Sequence, residues 1–495
     1  MKAISYLWIF PGALRFMHKV IIVAVMAFVL ITVWCRSAYG ESPQVVMRVA
    51  LAVAPPFEFL LEQDAYAFPL LPARIVDKDE EASFGREIAG DLPYISLFSS
   101  GKPFLIKAGN IPREIVLCYP SGEEISFLGG LRIVPLEPGS SAFQMGDRRY
   151  RGELEISCGV SKAGFYEIMA INLVDLETYT EGVLAGEVYP SWAAEALKAQ
   201  AVAARTYALR RKSENESRAY DVDDTVLSQV YVGENQIEAF KAAVRETRGE
   251  VLVYEGVPIK AHYFCSGGGI TEGDEEVWLG GSDEPYLTAR EDFDRMSPYY
   301  RWREPYAIGS SDLLRKLGLK PVYPAWIEPS IQSGDKILAY RFRAGDRVVN
   351  LTREQIRHKL GLESPRFHIT VRDGTETGKV VESREELNSS TVVIFDGVGK
   401  GHGVGLSQWG AQGMASMSDS NGAPLYTYVD ILKHYYPGAE LVDNYNIPKE
   451  RIEPVSDDRV EPVYESSTES VEEDHGEPVQ KKRTEPVCEV RLEPM

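Results

Sequence analysis

Short runs of alternating apolar and polar residues dominate the chain from about residue 44 to residue 174. Glycine and proline separate the runs, as expected for β-strands joined by turns. The runs are Val45–Val53, Phe104–Lys107, Glu114–Cys118, Glu124–Leu128, Arg132–Val134 and Glu153–Ser157. This pattern predicts a β-rich region, which we place at residues 41–150. We interpret it as an accessory region, because it carries no recognisable catalytic or binding motif.

An alanine-rich stretch predicts the strongest helix, from about Trp192 to Lys212, with Ser191 as its N-cap. Its small side chains let neighbouring elements approach closely, so we expect this helix to be central. Helices are also predicted at 236–247, 353–360, 406–417 and 428–435, and strands at 251–254 and 258–264. The mixture predicts an α+β fold, built of mixed sheets with a central Ala-rich helix.

The two ends of the chain have their own patterns. Residues 20–34 are apolar and are flanked by Lys19 and Arg36, but they fall short of the roughly 20 residues that span a bilayer. They match a signal-peptide core followed by small residues. We expect residues 1–40 to be a signal peptide or an N-terminal membrane anchor, and the protein to be exported to the periplasm or cell wall. Residues 446–495 repeat Glu-Pro-Val among acidic residues, which predicts a disordered tail.

Charge and cysteine content exclude several classes of protein. The net charge of −20 disfavours a nucleic-acid-binding protein, which needs a basic face. A single long apolar run disfavours a multi-span membrane protein. Five cysteines are too few for a disulfide scaffold. A Cys118–Cys158 bridge and isolated thiols both remain open.

Glu187 is the first candidate for catalytic chemistry. We expect it in a glycine-bearing turn just before the alanine-rich helix, where the positive helix end favours the charged carboxylate. A general acid needs the opposite effect, which is burial among apolar groups. Val188, Tyr189 and Trp192 are placed to supply that environment. Capping or ion pairing is the structural alternative.

Lys198 and Arg205 are seven residues apart, which puts them on nearly one face of the predicted helix. Cations on such a face need partners. These partners are either structural carboxylates or the carboxylate and hydroxyls of a ligand, and the sequence leaves both open.

Two glycine-rich segments, residues 262–272 and 397–410, have the composition of ligand-facing loops. His402 is a candidate acid, base or hydrogen-bond donor, and a structural histidine is its alternative. His262 and Cys265 are zinc-ligand types, but two ligands do not make a site, so we predict no metal and no cofactor. The chain has no serine-hydrolase elbow, zinc-protease motif or dinucleotide fingerprint. Glycine-rich loops, one well-placed carboxyl and many aromatic residues suit a carbohydrate groove.

Residues 177–187 (ETYTEGVLAGE), followed by 195–208 (EALKAQAVAARTYA), resemble the stage II sporulation protein D family (SpoIID/LytB). Further segments agree in the same order along the chain. They are 228–233, 266–271 with 285–287, 360–364, and 401–411 with 432–438. The resemblance spans about residues 150–440, and we place the catalytic core at 151–445.

The resemblance implies a peptidoglycan lytic transglycosylase that acts in wall remodelling or cell division. Such an enzyme cleaves the MurNAc–GlcNAc bonds of glycan strands, typically strands stripped of stem peptides by an amidase, and leaves 1,6-anhydro ends. Glu187 matches the catalytic glutamate, and Lys198 and Arg205 match positions important for activity. With these two cations, the resemblance implies substrate-binding roles for Gln229, Tyr231, Ser266, Thr271, His402 and Gln408.

The resemblance leaves other activities open. Relatives also act as non-catalytic wall-binding enhancers of an N-acetylmuramoyl-L-alanine amidase, and a glycoside hydrolase that uses water is a third alternative. Glycan strands and an amidase are the expected partners. Some relatives bind zinc through His and Cys near the first glycine-rich segment. Gly267 stands where a further Cys would complete such a set, so the expectation of no metal stands.

Overall fold

The computed structural model describes residues 45–70, 95–97, 99, 101–137, 141–160, 166–280, 283–373, 378–443 and 445. The chain divides into two units, Met1–Val46 and Met47–Met495, and all described residues except 45 and 46 belong to the second. The predicted signal or anchor segment and the predicted acidic tail lie outside the described residues. Within the described parts of the chain, no helix has both the length and the apolar character needed to cross a membrane.

The first part of the described chain is β-rich, as predicted. Its strands are β1 (Val46–Leu51), β2 (Phe57–Leu61), β3 (Ala65–Pro69), β4 (Ile95–Leu97), β5 (Phe104–Ala108), β6 (Glu114–Cys118), β7 (Glu124–Leu128), β8 (Gly130–Pro135), β9 (Ser141–Met145), β10 (Arg148–Arg151), β11 (Glu153–Val160), β12 (Tyr166–Asp175) and β13 (Val222–Asp223). They form a seven-stranded sheet in the order β13-β1-β12-β11-β8-β3-β4 and a six-stranded sheet in the order β10-β9-β2-β5-β6-β7.

The alternating pattern of these strands explains their burial. In β2, Phe57, Phe59 and Leu61 are buried while Glu58 is exposed, because successive side chains point to opposite faces. The Phe59 ring stacks on that of Phe104, with centroids 5.4 Å apart. Cys118 and Cys158 are free thiols, so the disulfide alternative is not observed.

The helices follow. They are α1 (Leu176–Glu187), α2 (Ala194–Glu214), α3 (Glu238–Glu246), α4 (Asp274–Val277), α5 (Ser310–Lys316), α6 (Arg353–Leu360), α7 (Gln408–Ala415) and α8 (Tyr428–Tyr435). The alanine-rich helix α2 is central, as predicted, and packs against α1, α3, α7 and α8. Ala199 and Ala203 are fully buried in a core shared with Met414, Leu432 and other residues of the last two helices. The α+β class is therefore confirmed.

The remaining strands form small sheets around these helices. They are β14 (Val251–Tyr254), β15 (Val257–Pro258), β16 (Tyr263–Phe264), β17 (Tyr306–Gly309), β18 (Ala325–Ser333), β19 (Lys336–Ala344), β20 (Arg347–Thr352), β21 (Phe367–Asp373), β22 (Lys379–Val380), β23 (Glu385–Leu387), β24 (Thr391–Gly397), β25 (Leu406–Ser407) and β26 (Glu440–Val442). The sheets are β15-β14-β26, β16-β25, β17-β24-β21-β22 and β20-β19-β18-β23. Two of these sheets enclose a separate apolar core with α5 and α6.

Several local predictions were wrong. Helix α2 begins after Ala193, which makes no side-chain cap, instead of after Ser191, because Trp192 N–H first closes a turn onto the Tyr189 carbonyl. Residues 406–407 form β25 instead of the first turn of a helix, and the predicted strand 258–264 is broken into β15 and β16. Helix α1 was missed altogether.

Candidate active site

Glu187 is the last residue of α1, not part of a turn. Helix α1 begins at a capping aspartate, Asp175, whose side chain accepts a hydrogen bond from Thr178 N–H. It ends where Val188 becomes extended and bonds back to the Leu184 carbonyl at 3.0 Å. Glu187 therefore lies at the negative end of a helix, which disfavours its charged form. The predicted helix-dipole effect was wrong in sign, because the relevant helix precedes Glu187.

The Glu187 carboxyl is buried, with 6% of the residue exposed. Burial raises the pKa of Glu187 from its ordinary value of 4.5 to about 7, because a low-dielectric environment penalises the charged carboxylate. Hydrogen bonds from Val230, Gln408 and Tyr263 oppose this effect and lower the pKa. Among the described residues, no cation is one of the groups that shift this pKa. The result is a carboxyl that gains and loses a proton near neutral pH.

The first donor to Glu187 is a backbone amide. Val230 N–H donates to Glu187 Oε1 at 2.9 Å. The segment around Val230 reaches the carboxyl because α1 presents glycines to it. A Cβ on Gly186 would collide with the Val230 carbonyl oxygen, and one on Gly182 would lie 2.5 Å from the Gly233 carbonyl oxygen. The two glycines that made α1 hard to recognise from sequence are thus required by this close approach.

The second and third donors come from the two-stranded sheet β16-β25. Its parallel register places Tyr263 beside Leu406 and Phe264 beside Ser407. Gln408 follows directly, and its Nε2 donates to Glu187 Oε2 at 3.3 Å. The Tyr263 hydroxyl faces the same carboxyl and acts as a donor to it. One short sheet therefore delivers two side chains to Glu187, which links the two glycine-rich segments of the sequence.

Behind Tyr263 lies the amide of Gln229, which is 1% exposed. Gln229 Nε2 donates to the Tyr263 hydroxyl oxygen at 3.0 Å and to the Ala204 carbonyl at 3.2 Å. Its Oε1 accepts a hydrogen bond from the Tyr179 hydroxyl at 2.9 Å. Since Gln229 donates to the Tyr263 oxygen, the Tyr263 proton is left to point at Glu187. Gln229 is thus linked to Glu187 through Tyr263, and its own amide is hydrogen-bonded within the protein.

Tyr231 is fully buried, and its ring lies against α1 at Gly182. Its hydroxyl donates to Asn172 Oδ1 at 2.9 Å, and its ring packs against that of Tyr179 with centroids 5.1 Å apart. The structure does not bring Tyr231 into contact with Glu187. Its predicted role in binding substrate stays a prediction.

Ser266 and Thr271 hold the first glycine-rich segment together. Ser266 Oγ donates to Asp294 Oδ2 at 2.5 Å, and Gly268 N–H donates to the same oxygen at 2.7 Å. Thr271 Oγ1 accepts a hydrogen bond from Arg290 N–H at 2.8 Å. Both predicted substrate ligands are buried in these contacts. Their substrate-binding roles likewise stay predictions.

His402 has backbone partners on both ring nitrogens. Val404 N–H donates to Nδ1 at 3.1 Å, so the proton lies on Nε2, which is 3.0 Å from the Tyr263 carbonyl oxygen. Burial lowers the pKa of His402 to about 4. The geometry favours the structural alternative, in which a neutral histidine fixes the backbone beside Tyr263, over an acid or base.

The residues near His402 do not assemble a metal site. His262 and Cys265 belong to no group of three or more potential ligands among the described residues; the one such group is Asp274, Glu275 and Asp283, which is acidic and mostly exposed. A Cβ on Gly267 would lie 2.5 Å from Asp292 Oδ2, so a cysteine does not fit there without rearrangement. The expectation that the protein uses no metal stays an expectation.

The two predicted cations of α2 both face α3, as their spacing implies. Arg205, fully buried, pairs with Glu177 at 2.6 Å and donates to the Val244 carbonyl at 3.4 Å. Lys198 pairs with Glu195 at 3.0 Å and with Glu246 at 2.9 Å. Arg205 therefore ties α2 to the first turn of α1. Neither cation contacts Glu187, and substrate binding by either one stays a prediction.

Sequence reasoning missed Tyr263 and the Val230 amide. Tyr263 lay inside a segment chosen for its glycines and its histidine, and only the β16-β25 pairing shows that it faces Glu187. A backbone donor has no side-chain signature, so no sequence signal identifies Val230.

Comparison with known proteins assigns the chain to a family. The family described as Stage II sporulation protein (SpoIID) matches residues 166–254, which include α1, α2 and Glu187. An uncharacterized protein of Brachyspira hyodysenteriae is 33% identical over 294 residues, covering 58% of this chain and 72% of the relative. Stage II sporulation protein D of Bacillus subtilis is 31% identical over 294 residues, covering 55% and 76%. The amidase enhancer of Bacillus subtilis is 30% identical over 295 residues, covering 53% of this chain but only 40% of the relative. At these identities and coverages, the chain belongs to the SpoIID family.

Proposed function

We propose that the protein is a lytic transglycosylase that cleaves MurNAc–GlcNAc bonds in peptidoglycan glycan strands and leaves 1,6-anhydro ends. The observation that carries the proposal is the buried Glu187 carboxyl, whose pKa is raised to about 7 and which meets three hydrogen-bond donors. A group with a pKa near the working pH can act as acid and as base in one cycle.

The first step uses protonated Glu187. It donates its proton to the glycosidic oxygen as the bond between that oxygen and C1 of MurNAc breaks, and the GlcNAc hydroxyl leaves. Positive charge develops on the sugar ring, and Glu187 becomes a carboxylate. Val230 N–H, Gln408 Nε2 and the Tyr263 hydroxyl then stabilise the negative charge as donors.

The second step returns the proton to Glu187. The carboxylate removes the proton of the MurNAc C6 hydroxyl, and the C6 oxygen bonds to C1. Atoms balance without water, and Glu187 ends the cycle protonated. Hydrolases of the two-carboxylate type need a partner acid. The proposed route uses Glu187 in both roles instead.

The substrate and setting are part of the same proposal. Intact peptidoglycan carries many stem-peptide carboxylates, whereas stripped strands keep only the lactyl group. A chain with a net charge of −20 repels the intact polymer more, which supports stripped strands as substrate and an amidase as partner. Export by the N-terminal segment, with or without a retained anchor, would bring the protein to this substrate.

A second candidate function rests on one finding. A relative at 30% identity is named an amidase enhancer. We therefore keep a non-catalytic role, in which the chain binds glycan strands and enhances an amidase, as the alternative.

Mass spectrometry of digested glycan separates these functions. Amidase-stripped peptidoglycan is incubated with the full-length protein, with Glu187→Gln, and with Glu181→Gln as a matched control on the same helix. We expect products lighter by one water than hydrolysed ends from the wild type and the control, and none from Glu187→Gln. Retained strands without cleavage by any of the three proteins would favour the binding alternative.

A further inference from the structure

Three aromatic rings cluster where the chain leaves the candidate active site. The Trp192 and Trp409 rings meet edge to face with centroids 5.2 Å apart, and the Tyr189 ring lies 5.7 Å from Trp192 and 6.3 Å from Trp409. All three residues are half-buried. We call Tyr189, Trp192 and Trp409 the aromatic cluster.

The aromatic cluster is connected to Glu187 from two directions. Tyr189 follows Glu187 by two residues, across the extended Val188 (φ −134°, ψ 167°). Val188 is buried, and Tyr189 after it is half-buried. Trp409 follows Gln408, the residue that donates to Glu187. Two rings are thus tied by the backbone to the carboxyl and to one of its donors.

One atom of the aromatic cluster also lacks a partner. The indole N–H of Trp409 is buried without a hydrogen-bond acceptor among the described residues. A buried donor without an acceptor costs free energy, so the position of the Trp409 ring carries a cost to stability. By contrast, the indole N–H of Trp302 donates to the Gly399 carbonyl at 3.1 Å.

This chemistry fits a pyranose ring. Indole and phenol rings offer large apolar faces with a polar edge, and sugars present C–H groups on one face and hydroxyls around the rim. A catalytic acid needs its proton within hydrogen-bond reach of the glycosidic oxygen. A platform joined to the acid through the backbone is suited to hold the ring in that position.

We propose that the aromatic cluster is the sugar-binding subsite beside Glu187, and that it stacks on an N-acetylhexosamine ring of the glycan strand. The subsite rests on the proposed function, since it names where that substrate binds. Stacking requires no charge, so the same platform accepts uncharged N-acetylglucosamine oligomers as well as MurNAc-containing strands.

Binding is measured apart from cleavage in the Glu187→Gln background. Full-length Glu187→Gln protein is titrated with an N-acetylglucosamine oligomer and with amidase-stripped glycan by calorimetry. We expect Trp192→Ala, added to this background, to raise both Kd values at least tenfold. Trp192→Phe should recover part of the lost affinity. Tyr166→Ala, which removes an exposed aromatic ring outside the aromatic cluster, is the matched control and should change neither Kd. Circular dichroism confirms that each variant is folded.

The outcomes distinguish the subsite from the function. If wild-type protein cleaves glycan but Trp192→Ala and Tyr189→Ala bind both probes as tightly as their parent, the subsite is wrong and the function stands. If Glu187→Gln protein binds neither probe and the wild type cleaves nothing, the function is wrong and the subsite falls with it.

Discussion

The central residue is Glu187, whose protonation links activity to pH. Because the pKa of Glu187 is raised to about 7 and the first step needs the protonated acid, the cleavage rate should fall as the pH rises through about 7. Glu187→Gln, which has no titrating acid at this position, should not cleave glycan at any pH between 5 and 9. Initial rates from pH 5 to 9 on stripped glycan test this. A rate that rises through this range would contradict the assignment of Glu187 as the acid.

The same pKa shift predicts how stability depends on pH. The folded protein holds the Glu187 proton more tightly than the unfolded chain, so its contribution is fully present below pH 4.5 and is lost as the pH rises through about 7. A shift of this size corresponds to about 3 kcal/mol. Glu187→Gln does not titrate, so relative to wild type it should gain free energy of unfolding between pH 5 and pH 8. Urea unfolding at both pH values measures the gain, with the half-buried Glu181→Gln as a control of smaller effect. An equal difference at the two pH values would count against the raised pKa.

Tyr263 should tune this protonation. Tyr263→Phe removes a donor that lowers the pKa of Glu187, so the pKa should rise further and the falling limb of the rate profile should move up by roughly one pH unit. Tyr179→Phe, which breaks the Tyr179–Gln229 hydrogen bond and leaves Tyr263 in place, should shift the limb less. Equal rate losses without any shift would show that Tyr263 only supports the fold.

At the scale of elements, α1 and its glycines position the acid. Alanine usually stabilises a helix relative to glycine by about 1 kcal/mol. At Gly186 the added Cβ would collide with the Val230 carbonyl oxygen, so Gly186→Ala should instead push the 230 segment away and remove one donor from Glu187. We expect activity to drop by about 100-fold, with lower thermal stability. Ala185→Gly is the matched control, since it loses only helix propensity. Full activity in Gly186→Ala would refute the close approach.

Arg205 and Lys198 should behave differently although they share a helix face. Removing one partner of a buried pair costs about 3–5 kcal/mol, whereas a partly exposed pair is worth about 1 kcal/mol or less. Arg205→Met should therefore strongly lower the free energy of unfolding and Lys198→Met should barely change it. If Arg205 stabilises the position of α1 through its ion pair with Glu177, Glu177→Gln should reduce activity as Arg205→Met does. A folded, stable Arg205→Met protein with weakened substrate binding would support a ligand role instead.

The elements show what the sequence could and could not provide. Helices α2, α3, α6 and α8 and strands β6 and β7 were predicted close to their observed bounds, because no glycine or proline interrupts them. Helix α1 was missed because Gly182 and Gly186 interrupt its pattern, and those glycines serve a contact with a segment more than forty residues away. The sequence identified Glu187 as a candidate, but its surroundings depend on the backbone of Val230 and on the β16-β25 pairing. Neither the position of the Val230 backbone nor the β16-β25 pairing can be recognised from the local sequence.

At the scale of the whole molecule, the acidic charge should select the substrate. The net charge of −20 predicts faster cleavage of stripped strands than of intact peptidoglycan at low ionic strength. Salt screens such repulsion, with a Debye length of about 10 Å at 0.1 M, so the preference should shrink as salt is added. Rates on both polymers across a salt series measure it. A preference that does not change with salt would point to steric exclusion of stem peptides.

The most direct test of the account asks whether water enters the product. Stripped glycan is digested by the full-length protein in water enriched in heavy oxygen, in parallel with Glu187→Gln. The one-carboxyl mechanism predicts anhydro ends that carry no label, and no cleavage by the variant. Labelled reducing ends would show that water attacks C1, and label-free cleavage that survives in Glu187→Gln would show that another group is the acid.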